Sequence, residues 1–342
     1  MLLDPETLDL APRADEVLSR LQGDSRFKPE LPAAQLEIVG PPAATVPAAA
    51  AHLAAARHDL AQAATGIACL AGGGVHPFAA GNGQLTHTAR NASLAAEFGG
   101  VLQRQLVFGL HVHVAVSGAD RALAIYNALR EYLPALAALG AGSPFYEGRD
   151  TGLASVRPKL CDLLPRQGIP PAIPDWTAFA EALAWGRAPV AFAEARWWWE
   201  ARLHPVYGTV EVRVPDTQAT VADTAAVASV IHALVATLGD RYEAGDLPKE
   251  PAETWRIAEN RWSACRHGIH GRWIDPRSGR VTPLPEYLYL LLDGLGPAAR
   301  RHRCEAQLEA ASDLIEHPRA TLAREAGPHG HAERLAGLFA AA

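Results

Sequence analysis

YGTVEVRVPD, residues 207–216, alternates without a break. Gly208, Val210, Val212 and Val214 fall on one side; Tyr207, Thr209, Glu211 and Arg213 fall on the other. A period of two marks a strand with one apolar and one polar face. A polar face that carries both an acid and a base is either a solvated sheet surface or the wall of a site.

Three further stretches share this grammar. RWWWEARLH, residues 196–204, sets Trp197, Trp199 and Leu203 against Trp198, Glu200, Arg202 and His204. A short link through Pro205 makes it the hairpin partner of residues 207–216. GLHVHVAVS, residues 109–117, turns Leu110, Val112, Val114 and Val116 one way and His111 and His113 the other. In residues 35–40, Leu36 and Ile38 oppose Gln35 and Glu37. If these polar faces line one sheet, that sheet can bind divalent cations and phosphate. Equally, His111 and His113 read as partly exposed strand histidines, and Glu211 with Arg213 as a surface ion pair.

Helical periodicity fills most of the remainder. It predicts helices over residues 48–64, 92–106, 119–139, 176–184, 220–238 and 253–265, and in the C-terminal helical segment 286–342. Residues 67–70 form a short strand, and 242–251 read as a polar linker. Residues 141–174 are rich in glycine and proline and hold Arg149, Arg157 and Arg166. An irregular stretch of that length is either a surface excursion with one short helix or a functional loop. Gly72-Gly73-Gly74 implies a close backbone approach, without the context of a phosphate-binding P-loop. Strict strand–helix alternation is absent, so the fold class is α+β, in one catalytic domain over residues 1–342.

With 342 residues, 49 % of them hydrophobic, the chain can bury a large core. A formal net charge of -6 gives no global pull toward nucleic acid. Cys69, Cys161, Cys265 and Cys304 are widely spaced, and they read as reduced thiols in a cytoplasmic protein. No run of about 18 uninterrupted apolar residues predicts a membrane span.

The chemistry open to these residues follows from their types. Mg²⁺ prefers carboxylate oxygens and Mn²⁺ accepts an imidazole more readily. Glu30, Glu37 and Glu211 are the carboxylate donors beside the histidine strand. Phosphoryl transfer needs positive charge around its transition state. Arg149, Arg157, Arg166, Arg213, Arg261 and Arg266 are the candidates, although the helix bearing Arg261 and Arg266 also reads as a solvated face anchored by Trp262.

Seven blocks, in order, carry a family resemblance: KPELPAAQLEIVG, GGGVHPFA, FGLHVHVAVS, LGAGSPFYEGRDTGLASVRP, LLPRQGIPP, HPVYGTVEVRVPD and AENRWSACRHG. The chain resembles the carboxylate–amine ligase family, also called glutamate–cysteine ligase type 2. That resemblance implies the glutamine synthetase-like catalytic fold, a curved antiparallel sheet funnel with helices packed outside. It implies ATP-dependent amide formation through an acyl phosphate, with glutamate and cysteine as suspected carboxylate and amine substrates. It also implies ATP and Mg²⁺ (or Mn²⁺) as cofactors, and a homodimer. By resemblance, Glu37, His111, Glu211 and Glu30 are metal ligands. His113, Arg213, Arg261 and Arg266 bind nucleotide, and Arg213, Arg157 and Glu211 are catalytic. Cys161 and Cys265 are then structural thiols.

Departures from the family pattern set two alternatives beside a working ligase. Relatives begin with a Gly-x-Glu-Glu-Glu-type strand, and this chain starts at Met1-Leu2-Leu3-Asp4, just past it. The expectation is a first strand missing from the N-terminus and a half-built cation site. Gly40 and Gly74 stand where threonine is usual, and Ala115 where glycine is. One alternative is an impaired member that binds ligand or acts as a scaffold. The other is a metal-dependent hydrolase built on the His/Glu sheet.

Overall fold

The computed structural model describes residues 1–187, 197–204 and 206–340. In chain order the first third holds β1 (Leu2–Leu3), α1 (Ala14–Leu21), β2 (Phe27–Pro29), β3 (Leu36–Ile38), α2 (Val46–Ala64), β4 (Cys69–Leu70), α3 (Ala89–Phe98) and β5 (Val112–Ala115). Then come α4 (Ala119–Leu129), α5 (Leu133–Leu139), β6 (Phe145–Tyr146), β7 (Arg149–Asp150), α6 (Arg157–Cys161), α7 (Trp176–Arg187), β8 (Ala201–His204) and β9 (Thr209–Val212). The chain closes with α8 (Val221–Glu243), α9 (Thr254–His267), β10 (Arg272–Ile274), β11 (Val281–Pro283), α10 (Leu284–Arg301), α11 (Glu305–Glu316) and α12 (Arg319–Ala340).

The expected hairpin forms. β8 and β9 pair antiparallel, with Leu203 opposite Val210 and Arg202 opposite Glu211. β5 pairs with the other edge of β9, and His113 faces Glu211 across that ladder. Of the expected strand over residues 196–204, only Ala201–His204 is strand; Arg196 and the Pro205 link lie outside the described residues.

The funnel does not form. Among the described residues the strands make four two-stranded sheets and one three-stranded sheet, β5–β9–β8, and none curls or closes. Short strands and proline explain this. Pro29 ends β2, and Pro41-Pro42 follow β3. Each lacks the N–H that the next rung of a ladder would need. The β2–β3 hairpin is therefore a separate unit from β5–β9–β8.

The apolar face of β5–β9–β8 supplies Val114, Ala201, Leu203, Val210 and Val212, all buried. It is covered by α4 and by α8, the central helix, which also packs on α2, α10 and α11. Each valine or leucine so buried contributes about 1.5–3 kcal/mol. Among the described residues α8 is long and apolar enough to cross a membrane, but 61 % of its apolar window is buried inside the fold. Thr220 caps it, its hydroxyl accepting from the Asp223 N–H.

The helix expected over residues 119–139 is interrupted by a 3₁₀ turn at Arg130–Tyr132. Pro134 has no N–H for the Arg130 carbonyl, and its ring crowds that oxygen. Arg130 is fully buried and donates to Pro170 O, Ala252 O and Thr254 Oγ1, at 2.8, 3.3 and 2.6 Å. The helical segment expected over 286–342 begins two residues early and divides into Leu284–Arg301, Glu305–Glu316 and Arg319–Ala340, with Pro297 inside the first.

On α12, His331 is buried, and its Nδ1 has no hydrogen-bond partner among the described residues. Burial, then Arg334, pushes its imidazole down from 6.5 to about 4. The unfolded chain therefore binds a proton between those values that the folded chain refuses, so stability falls as pH drops through that window. Between pH 7 and pH 5 this group alone removes about 2 kcal/mol. Urea denaturation at both pH values should show a loss about 2 kcal/mol smaller in His331→Gln than in the wild type, the other depressed histidines supplying what remains.

Candidate functional site

The polar faces meet in one cleft of about 1790 Å³ between the β2–β3 hairpin and β5–β9–β8. Its lining includes Glu30, Glu37, His111, His113, Arg157, Glu200, Arg202, Glu211, Arg213 and Arg261. Arg149, Arg166 and Arg266 do not line it. Arg266 reaches the Gly152 carbonyl instead.

Glu211 is the centre. Although it lies on the polar face of β9, it is 0 % exposed, so it is not half of a surface ion pair. Arg213, two residues along the same strand, donates from Nη1 to Glu211 Oε1 at 2.5 Å. Arg202, its register partner on β8, donates from Nε to Oε2 and from Nη2 to Oε1. Burial acts to raise the Glu211 pKa; Arg213 and Arg202 overcome it and hold the carboxylate below its usual value. Arg202 is the residue that strand-by-strand reading missed. Its signal was present: in a hairpin with this turn, alternation sets it directly across from Glu211.

The histidines complete the ring. His113 Nε2 stands 3.6 Å and His111 Nδ1 4.0 Å from Glu211 Oε1. His111 Nδ1 lies 3.4 Å from Arg213 Nη1. Both side chains are partly exposed to the cleft, as the plainer reading of the strand had it. Burial and then the flanking arginine Arg213 depress His111 well below 6.5; burial depresses His113 against the pull of Glu211. Both imidazoles are neutral at pH 7, able to accept a proton or a hydrogen bond on one nitrogen.

Glu37 and Glu30 face this group from β3 and from the turn after β2. Burial, then the neighbouring Glu30, raises the Glu37 pKa. Glu30 Oε2 accepts from the Leu31 N–H at 3.1 Å. Among the described residues no three His, Cys, Asp or Glu side chains come close enough to share an ion. Both oxygens of Glu211 are also taken by guanidinium groups. The side chains as arranged do not fit a resident Mg²⁺ or Mn²⁺, although all four expected ligands line one cleft.

Arg157 lies behind the strand rather than over the cleft centre. It donates to Val214 O at 3.0 Å and Arg213 O at 3.1 Å, and its Nη1 is 3.9 Å from buried Asp216. The expected loop of residues 141–174 is thus anchored to the end of β9. Gly109 makes the approach possible: a Cβ there would sit 2.1 Å from Arg157 Nη2. Gly109→Ala should push the guanidinium off both carbonyls and lower the unfolding free energy by about 2–3 kcal/mol, measured in urea. Gly74, where threonine was usual, is likewise required here; a Cβ would meet Asp216 Cγ and Ser143 Oγ, each at 2.4 Å.

Arg261 is committed elsewhere. It donates to Glu200 Oε1 at 2.6 Å, to both oxygens of Asp162 and to Pro158 O. With Arg261 and Asn260 buried, this side of α9 is not a solvated face; Trp262 is half-exposed, with Lys159 Nζ 5.8 Å above its ring. The four cysteines are free, and burial pushes the Cys265 thiol up to about 12, which suits a structural thiol.

Comparison with known proteins fits this geometry. The glutamate–cysteine ligase family 2 model matches residues 3–335. A Rubrobacter xylanophilus protein named "Putative glutamate--cysteine ligase 2-3" is 37 % identical over 338 residues, 95 % of this chain and 90 % of that protein. A Thermobifida fusca protein named "Putative glutamate--cysteine ligase 2" is 34 % identical over 303 residues, 88 % of this chain and 76 % of that one. A solved glutamate–cysteine ligase from Francisella tularensis, in complex with AMP, superposes with a TM-score of 0.70 at 13 % identity, covering 97 % of this chain and 83 % of that one. That last similarity is one of fold. By sequence along nearly its whole length, the chain belongs to glutamate–cysteine ligase family 2.

Proposed function

We propose that this protein is an ATP-dependent carboxylate–amine ligase that forms an amide through an acyl phosphate, with glutamate and cysteine as first candidate substrates. The observation that carries the reading is the convergence of Glu37, His111, Glu211 and Arg213 on one cleft. Family membership and the AMP complex of the Francisella relative support the nucleotide.

The chemistry follows from the charges. A substrate carboxylate oxygen attacks the γ-phosphorus of ATP, and ADP leaves. Negative charge on the equatorial oxygens is met by Arg213 and Arg202, which the strands hold in place before the substrate arrives. The amine nitrogen then attacks the acyl carbon, phosphate leaves, and the nitrogen loses its proton. Neutral His113, whose protonated form Glu211 would favour, is the acceptor within the cleft. No step is assigned to a metal, because the donors do not assemble one.

Free thiols at Cys69, Cys161, Cys265 and Cys304 support a reducing, cytoplasmic setting, and the family resemblance supports a homodimer. Incubation with ATP, Mg²⁺ or Mn²⁺, glutamate and a panel of amines including cysteine should give ADP in proportion to a new amide. ATP-independent amide cleavage would point to the hydrolase instead. The occupied Glu211 favours a second reading, a member that binds nucleotide without turnover; ADP binding with no product across the panel would establish it.

A further inference from the structure

At the lip of the cleft, the turn between β8 and β9 carries a small stack of rings. His204 and Tyr207 lie parallel, with centroids 4.2 Å apart and planes 6° apart. His113 meets both edge-on, at 5.4 and 5.7 Å. The backbone fixes the pair: the Tyr207 N–H donates to His204 Nδ1 at 3.3 Å, and His113 Nδ1 is held 3.0 Å from Thr209 Oγ1. Tyr207 nevertheless remains 61 % exposed, and all three rings line the cleft. An ordered aromatic ring braced from behind and left open in front is a surface for another flat π-system.

Position says which one. His204 is two residues along β8 from Arg202, roughly 7 Å of extended strand. A ligand whose charged groups rest on Arg202 and Arg213 therefore carries its other end to the ring pair, a separation that a ribose spans. His204 is also less basic than an ordinary histidine, through burial and then Arg202, so it offers a neutral ring and no charge.

We infer that the His204–Tyr207 pair is the seat of the nucleotide's purine ring. This rests on the ligase reading and adds to it a specificity determinant. Stacking reads ring area and not hydrogen-bonding edges. The pair consequently favours purine over pyrimidine nucleotides, while discriminating little between adenine and guanine.

Calorimetric titration of the full chain with ADP and with inorganic pyrophosphate tests this. Tyr207→Ala, an exposed site that the fold tolerates, should weaken ADP binding about tenfold and leave pyrophosphate unchanged. Tyr207→Phe and Tyr207→Trp should bind ADP as the wild type does. ADP affinity unchanged in Tyr207→Ala overturns the inference and leaves the ligase reading standing. Equal losses for ADP and pyrophosphate also overturn it, since the ring would then be acting on the phosphate end. A wild type that binds neither ligand overturns both.

Discussion

Glu211→Ala should lower the unfolding free energy by about 3–5 kcal/mol, the largest effect on stability expected of any single change in the cleft. The reason is what the carboxylate leaves behind. Arg202 and Arg213 both direct donors at it from the cleft wall, and the alanine variant leaves them only the long contacts to Trp197 O and His111 Nδ1. Partly buried guanidinium groups cannot deprotonate to escape, so they must move or be hydrated at the cost of packing. Two controls separate charge from shape. Glu211→Gln keeps the volume and should recover only a minor part of the loss. Arg202→Met placed in the Glu211→Ala background should recover more, because it removes one of the stranded charges. Urea denaturation reads all three, and a loss under about 1 kcal/mol for Glu211→Ala would show that the arginines find other acceptors. The stabilisation has a defined acid limit. The folded pKa of Glu211 is depressed below 4.5, so its contribution is complete above that value and is lost as pH falls through the lower folded value.

Arg213→Met should reduce ATP-dependent turnover by about 10³-fold or more, the largest effect expected on activity. Arg213 is held by Glu211 and stands beside His111, while Arg157 grips its own carbonyl oxygen from the far side. Its aim is thus fixed at both the side chain and the backbone before any ligand binds, which is the condition for charge stabilisation without reorganisation. Arg213→Lys keeps one positive charge but loses the planar fork, and it should recover about one order of magnitude at most. The deficit should fall on kcat, with ADP affinity changed much less, because the interaction is made with charge that develops during transfer. A fall confined to KM would assign Arg213 to ground-state binding instead.

Much of this site could be read from period-two alternation alone. Val210, Val212 and Val214 went to the core, and Glu211, Arg213, His111 and His113 to the cleft, because a strand offers its side chains only two directions. Arg202 escaped notice because its role depends on register across the hairpin, a relation between strands. Arg157 and Arg261 were recognisable as cations near the site but not as ties. Which carbonyl or carboxylate a long guanidinium finds is decided by packing among elements distant in sequence, such as α6 with β9 and α9 with Asp162. The funnel failed for a related reason. Whether neighbouring hairpins join into one sheet depends on rungs between them, and proline at the strand ends removes those rungs.

That separation has a consequence for motion. The two walls of the cleft share no strand ladder among the described residues, so the wall bearing Glu30 and Glu37 can breathe without unzipping the wall bearing Glu211 and Arg213. Amide hydrogens of β2 and β3 should exchange with deuterium well before those of β9, which is flanked by a strand on either side. A captured ligand bridging the two walls would then register as slowed exchange on the thinner side first.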